Sequence, residues 1–226
     1  MSRLPLALFV SALSLFAASP KVNLEVVTTE HAALAAGGTV RFEGSYGELN
    51  IEAWDEPGVE VVVTRSAWAT DTAAERERVK QAFDASGIKV EARGSDVVVT
   101  TAHRKPHSWS TKGRRAVSYQ LDYRVMVPRG ARLAIQHEVG DVVIGGVEGG
   151  IDASVKTGDI LLRLPAVVNY TFDADCREGR THSDFAGSFH RRHFYAEHFT
   201  GGASSSAVPV HLHVGIGGID IRKLGS

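Results

Sequence analysis

A short motif recurs along this chain and limits the folds open to it: Gly, an acidic residue or Gly, an aliphatic residue, any residue, and a second aliphatic residue. The copies are Gly47-Glu48-Leu49-Asn50-Ile51, Gly140-Asp141-Val142-Val143-Ile144, Gly158-Asp159-Ile160-Leu161-Leu162 and Gly217-Gly218-Ile219-Asp220-Ile221. A weaker relative, Gly149-Gly150-Ile151-Asp152-Ala153, lies between the second and third, so glycines at 140, 149 and 158 recur every nine residues. That interval suits a strand of about five residues plus a turn in which Gly takes positive φ. The two aliphatic residues of each copy are two apart and point the same way, so stacked copies would build one apolar stripe. The pattern predicts a mainly β fold, a β-solenoid or β-roll-like stack of short strands. Gly47, Gly140, Asp141, Gly158, Asp159 and Gly217 are its expected turn residues.

Alternating apolar residues also mark Thr39 to Phe42, Val59 to Thr64 and Val117 to Val127 as strands. Asp71 to Ser86 breaks the alternation. It is rich in Ala, Glu, Arg and Lys, and Val79 and Phe83 fall four apart on one face, so residues 71–86 read as an inserted helix, capped near Asp71 and stopped at Gly87. Ile88 to Ala92 and Asp96 to Thr101 flank Gly94-Ser95, a hairpin signal.

At the N-terminus, Arg3 precedes an apolar run from Leu4 to Ala18, the form of a secretory signal peptide. The run ends before Pro20 and Lys21, short of the roughly 20 apolar residues that span a bilayer, and retention as an anchor is the alternative. The expected organisation is a signal peptide at 1–19, a linker at 20–38 and a single β domain at 39–226, exported to the periplasm or cell envelope or secreted. The chain carries 25 Lys plus Arg against 26 Asp plus Glu, and this near-neutral balance argues against a dedicated nucleic-acid binder. Its one cysteine, Cys176, excludes an internal disulfide framework and zinc sites built from several thiolates.

The run Tyr123-Arg124-Val125-Met126-Val127-Pro128, then Ala131 to Ile135, then the Gly-Asp-aliphatic copies, resembles the bacterial putative-adhesin family. Ser183-Asp184-Phe185 and Thr200-Gly201-Gly202 are similar to its later blocks. This domain of unknown function occurs in exported and membrane-attached envelope proteins. The resemblance implies an all-β, solenoid-like fold and adhesion, and it supplies no catalytic residues. It spans residues 39 to 224, with Gly218 where the family has Asp and an unusual richness in His and Arg over residues 189 to 199.

Signatures of serine hydrolases, zinc proteases and nucleotide enzymes are absent from the sequence. The glycine period invites comparison with calcium-binding nonapeptides, but Asp152 stands where that motif needs glycine, so calcium is rejected. Asp141 and Asp159, 18 residues apart, would stack about 4.8 Å apart on neighbouring coils. With Asp152 they are the residues of an alternative reading as a small carbohydrate-active β-helix enzyme. Asp beside Gly in a turn more commonly accepts hydrogen bonds from backbone amides, and that reading is preferred. His211 and His213 flank Leu212, so both imidazoles project from one strand face as half of a metal site would, with no third ligand fixed; they are read as solvent-facing. Arg104, Lys105, Trp109, Lys112, Arg114 and Arg115 fall in a basic stretch between Thr101 and Val117, a solvated connection or a contact for an anionic surface. The expected function is a non-enzymatic, exported envelope interaction module, adhesin-like, with no metal or other cofactor. Its partner would be an envelope protein, polysaccharide or anionic lipid, not nucleic acid.

Overall fold

The computed structural model describes residues 20–101, 117–191, 195–202 and 206–224. The expected signal peptide and the basic stretch, with Arg104, Lys105, Trp109, Lys112, Arg114 and Arg115, lie outside the described residues. In chain order the first elements are β1 (Lys21–Ala32), β2 (Thr39–Tyr46), β3 (Glu48–Trp54), β4 (Val59–Thr70), α1 (Ala73–Ala85), β5 (Ile88–Arg93) and β6 (Asp96–Thr101). There follow β7 (Gln120–Pro128), β8 (Arg132–Val139), β9 (Val142–Gly145), β10 (Ile151–Thr157), β11 (Ile160–Leu164) and β12 (Tyr170–Glu178). The last are β13 (Thr181–Ser183), β14 (Gly187–Arg191), β15 (Glu197–Gly201), β16 (Val208–Ile216) and β17 (Ile219–Lys223).

The fold is mainly β, with two mixed sheets, and among the described residues neither sheet closes into a barrel. The first sheet runs β1-β4-β7-β3-β9-β11-β17-β13 and the second β14-β15-β12-β16-β10-β8-β2-β6-β5. The central strands of both are parallel, because the chain crosses from the second sheet to the first and back. Strands that follow one another in sequence therefore form pairs, and the pairs stack in the same order in both sheets: β6/β7, β2/β3, β8/β9, β10/β11, β16/β17, β12/β13. Between β8/β9 and β10/β11 the register is the 18-residue step of the repeat, Leu133 opposite Ile151 and Val142 opposite Ile160. The next pair in space is not the next in sequence. β16/β17 is wedged between β10/β11 and β12/β13, as β2/β3 is between β6/β7 and β8/β9. A stack that simply follows the chain is thus replaced by an interleaved one.

Inward residues of both sheets meet in one core, among them Ile51, Ile144, Ile151, Leu162, Leu212 and Ile221. This is the apolar stripe that the two-residue spacing within each repeat builds. Phe172, Phe199 and Phe189 stack at one end, with ring centroids 6.0 Å and 4.7 Å apart. Cys176 is fully buried, and its thiol donates to the carbonyl of Gly217 at 3.1 Å. At the other end α1 lays Val79 and Phe83 on Ala67 and Ala69 of β4. The helix starts one residue after its cap, Thr72, whose hydroxyl accepts from the Glu75 amide; the cap is Thr72 rather than Asp71. Gly94-Ser95 closes the hairpin of β5 and β6, with Arg93 opposite Asp96. The expected linker is narrower than 20–38: residues Lys21–Ala32 pair with β4 along their whole length as the edge strand β1. No helix among the described residues is long and apolar enough to cross a membrane.

Candidate interaction surface

The turns from the second sheet to the first form a column. Gly47, Gly140, Gly158 and Gly217 all take positive φ, between 102° and 140°. A Cβ on Gly140 would fall on the carbonyl of Gly47, one on Gly158 on that of Gly140, and one on Gly217 on that of Gly158. Each glycine thus permits the next pair to approach, a close packing of backbone on backbone. Gly149, halfway along the 18-residue step, lies at the opposite turn, where a Cβ would meet the carbonyl of Ala131.

The aspartates of the column are occupied. Asp141 Oδ1 accepts from the Asp159 amide at 2.9 Å, and Asp159 Oδ1 accepts from the Gly218 amide at 2.6 Å. These carboxylates satisfy amides of the next turn. Gly218 has no side chain to pass the pattern on. Asp152 sits at the start of β10 while Asp159 follows its end, roughly 20 Å away along the strand, so the three carboxylates do not converge. Asp152 therefore does not join the Asp141 and Asp159 pair, whose carboxylates each accept a backbone amide.

The outer face of the second sheet carries the polar groups instead. Strand register sets them in two rows across β2, β8, β10, β16, β12 and β15. One row is Arg41, Ala134, Asp152, His211, Asp173 and Thr200. The other is Glu43, Gln136, Ser154, His213, Asp175 and His198. Carboxylates and imidazoles alternate between neighbouring strands. Asp173 lies 3.5 Å from His198 Nε2 and 3.9 Å from His211 Nδ1, while Asp175 lies 3.5 Å from His198 Nδ1 and 3.4 Å from His213 Nδ1. Among the described residues no group of three or more His, Cys, Asp or Glu side chains is placed to hold a metal ion. Beside this array a groove of about 590 Å³ crosses the strand starts. Arg41 and Arg132 border one side and Asp152 and His211 the other, over a floor lowered by Ala134, Gly149 and Gly150.

The fold has a solved counterpart. A putative cell adhesion protein from Clostridium sporogenes matches with TM-score 0.52 and 13% identity over 88% of this chain and 100% of that chain. At that identity the likeness concerns the fold alone. A putative adhesin from Parabacteroides distasonis has TM-score 0.32 and 10% identity over 71% of this chain and 69% of that one, too different in shape to carry an argument. No protein-family model matches the chain, and no curated protein does.

His211 and His213 lie on the exposed face, opposite the buried Val210, Leu212 and Val214. Of their partners, His198 falls in the His- and Arg-rich stretch that the sequence marked, whereas Asp173 and Asp175 were not singled out by sequence reasoning. A signal was present: Asp173-Ala174-Asp175 repeats the spacing of His211-Leu212-His213, with a buried residue between two polar ones.

Proposed function

We propose that this chain is a non-enzymatic, adhesin-like envelope interaction module, exported by a signal peptide at residues 1–19. Residues 39–226 form its single domain, a β-roll whose coils are interleaved, with β1 added at one edge. The observation that carries the reading is the ordered polar face of the second sheet. Side chains on six hydrogen-bonded strands are held at fixed spacing by the backbone, which presents a preorganised surface to a partner. The flanking groove, cationic on one side and carboxylate and imidazole on the other, suits a polar, hydroxyl-rich ligand. Among envelope components a polysaccharide meets that description better than a protein or anionic lipid. Arg104, Lys105, Trp109, Lys112, Arg114 and Arg115 add a basic stretch that would support attraction to anionic polymer.

The test is co-sedimentation of the purified protein with isolated cell-wall polysaccharide across a salt series. Wild type is expected in the pellet, and Asp152→Ala with His211→Ala is expected to weaken binding without lowering the melting temperature. Joint neutralisation of Lys112, Arg114 and Arg115 should remove the salt-sensitive part of binding. A wild-type protein that stays in the supernatant at every salt concentration, or that degrades the polymer, sinks the proposal.

A further inference from the structure

Along β4 the inward positions are Val59, Val61, Val63, Arg65, Ala67 and Ala69. A guanidinium thus stands where the alternation calls for an aliphatic group. Arg65 is only 8% exposed. Its hydrogen bonds go to neutral acceptors: Nε to Ser86 Oγ at 3.0 Å, Nη1 to Thr28 Oγ1 at 2.9 Å, and Nη2 to the Ser86 carbonyl at 3.2 Å. Among the described residues no carboxylate forms an ion pair with it. Burying a charge is costly unless an opposite charge and hydrogen bonds compensate it, and here only the hydrogen bonds are present. A guanidinium has five N–H donors, so Nη1 and Nη2 each keep one unengaged, the pair that a carboxylate takes in bidentate fashion.

Arg65 lines a cleft of about 640 Å³ between β1, α1 and the start of β5. That volume falls in the range of small-molecule sites. Leu24, Val26, Val79, Phe83 and Ile88 supply its apolar wall. Charges also border it. Among the lining side chains Arg76 and Lys80 are matched in number by Glu25 and Asp84, and neither carboxylate forms an ion pair with Arg65. A buried cation beside an aliphatic wall matches a ligand with one anionic head and one apolar tail. We propose that this cleft binds an aliphatic carboxylate of the fatty-acid class, its head on the Nη1 and Nη2 of Arg65 and its tail between β1 and α1. The site lies on the opposite side of the molecule's strand order from the polar face of β12 and β16 and is independent of the function proposed for that face.

The experiment is thermal unfolding of the full chain titrated with dodecanoate below its critical micelle concentration, 1-dodecanol below its solubility limit, or butyrate. A ligand of the native state raises the melting temperature saturably. Dodecanoate is expected to do so and to bind about tenfold or more tighter than dodecanol, because a hydrogen-bonded charge contact is worth at least that factor. Butyrate, lacking the tail, should give no saturable shift. Arg65→Gln should abolish the preference for dodecanoate over dodecanol. Should that variant fail to fold, Val26→Trp serves in its place: Val26 is 46% exposed at the mouth of the cleft, so the indole blocks the tail site without touching the core. It should weaken dodecanoate at least about tenfold, the loss expected when several methylenes are denied burial. A falling or unchanged melting temperature with dodecanoate, equal binding of dodecanol, or undiminished binding by Val26→Trp would each overturn the proposal.

Discussion

Gly158 and Gly94 both have positive φ, at 136° and 64°, yet their substitution should have different consequences. Around Gly94 a Cβ meets nothing within 4 Å, so Gly94→Ala carries only the backbone penalty, about 1–2 kcal/mol. At Gly158 the Cβ lands on the Gly140 carbonyl, and the column of turns must open as well. Gly158→Ala should therefore cost more than Gly94→Ala in urea unfolding, and equal costs would contradict the packed column. His137 offers a pH test. It is 3% exposed at an inward position of β8, and burial lowers its affinity for a proton below the ordinary value, against the opposing pull of hydrogen bonding with Gly47 and Val139. Above about pH 6.5 the imidazole is neutral in both states and pH has no effect through it. As pH falls below that value the unfolded chain takes up the proton first, so stability declines until the folded form protonates too. His137→Gln should flatten the fall of unfolding free energy between pH 7 and 5; an unchanged slope would dismiss this origin. The turn glycines and aspartates were legible in the sequence because a turn is chemistry within a few residues. Arg65 and His137 were not: each is flanked by polar residues, Thr64 and Ser66 or Gln136 and Glu138, so three polar residues in a row hide that the middle one points inward.

Elements were readable where their periodicity is strong. α1 declared itself through Val79 and Phe83, and its boundaries moved by a residue or two because Thr72, three before Glu75, caps more directly than Asp71. Thr72→Ala should lower stability by about 1 kcal/mol, the usual worth of a capping side chain, with a matching loss in melting temperature. Asp71→Ala, which loses only the exposed pair with Arg76, should cost less. If the two variants behave alike, Thr72 is not the effective cap. β1 was hidden for the opposite reason. As an edge strand, it is solvent-accessible on much of both faces, and the adjacent Val26 and Val27, 46% and 54% exposed, blur its alternation. Its exposed edge carries Lys21, Glu25 and Glu30, charges that oppose pairing with another chain.

At the scale of the whole molecule, strand pairs could be read from the repeat but their order could not. Each Gly-x-aliphatic copy offers nearly the same edge and the same apolar stripe, so nothing local distinguishes which copy will be its neighbour. The interleaving makes a sharp prediction. In a stack that follows the chain, removing the last coil shortens the molecule and leaves the rest folded. Here a chain ended after Gly202 would lose β16 and β17, which separate β10/β11 from β12/β13, and with them the core residues Val210, Leu212, Val214, Ile219 and Ile221. Circular dichroism should find no cooperative melting in that fragment; a cooperative transition near the wild-type temperature would show that the remaining pairs can close up. The same wedge also sets a clock. Ile151 must wait for Val210, 59 residues downstream, and pairings across such separations form slowly because the intervening loop is closed before contacts reward it. A polypeptide made or threaded from its N-terminus therefore stays incomplete until β17 is available, and the compartment that holds it at that moment is where its folding finishes.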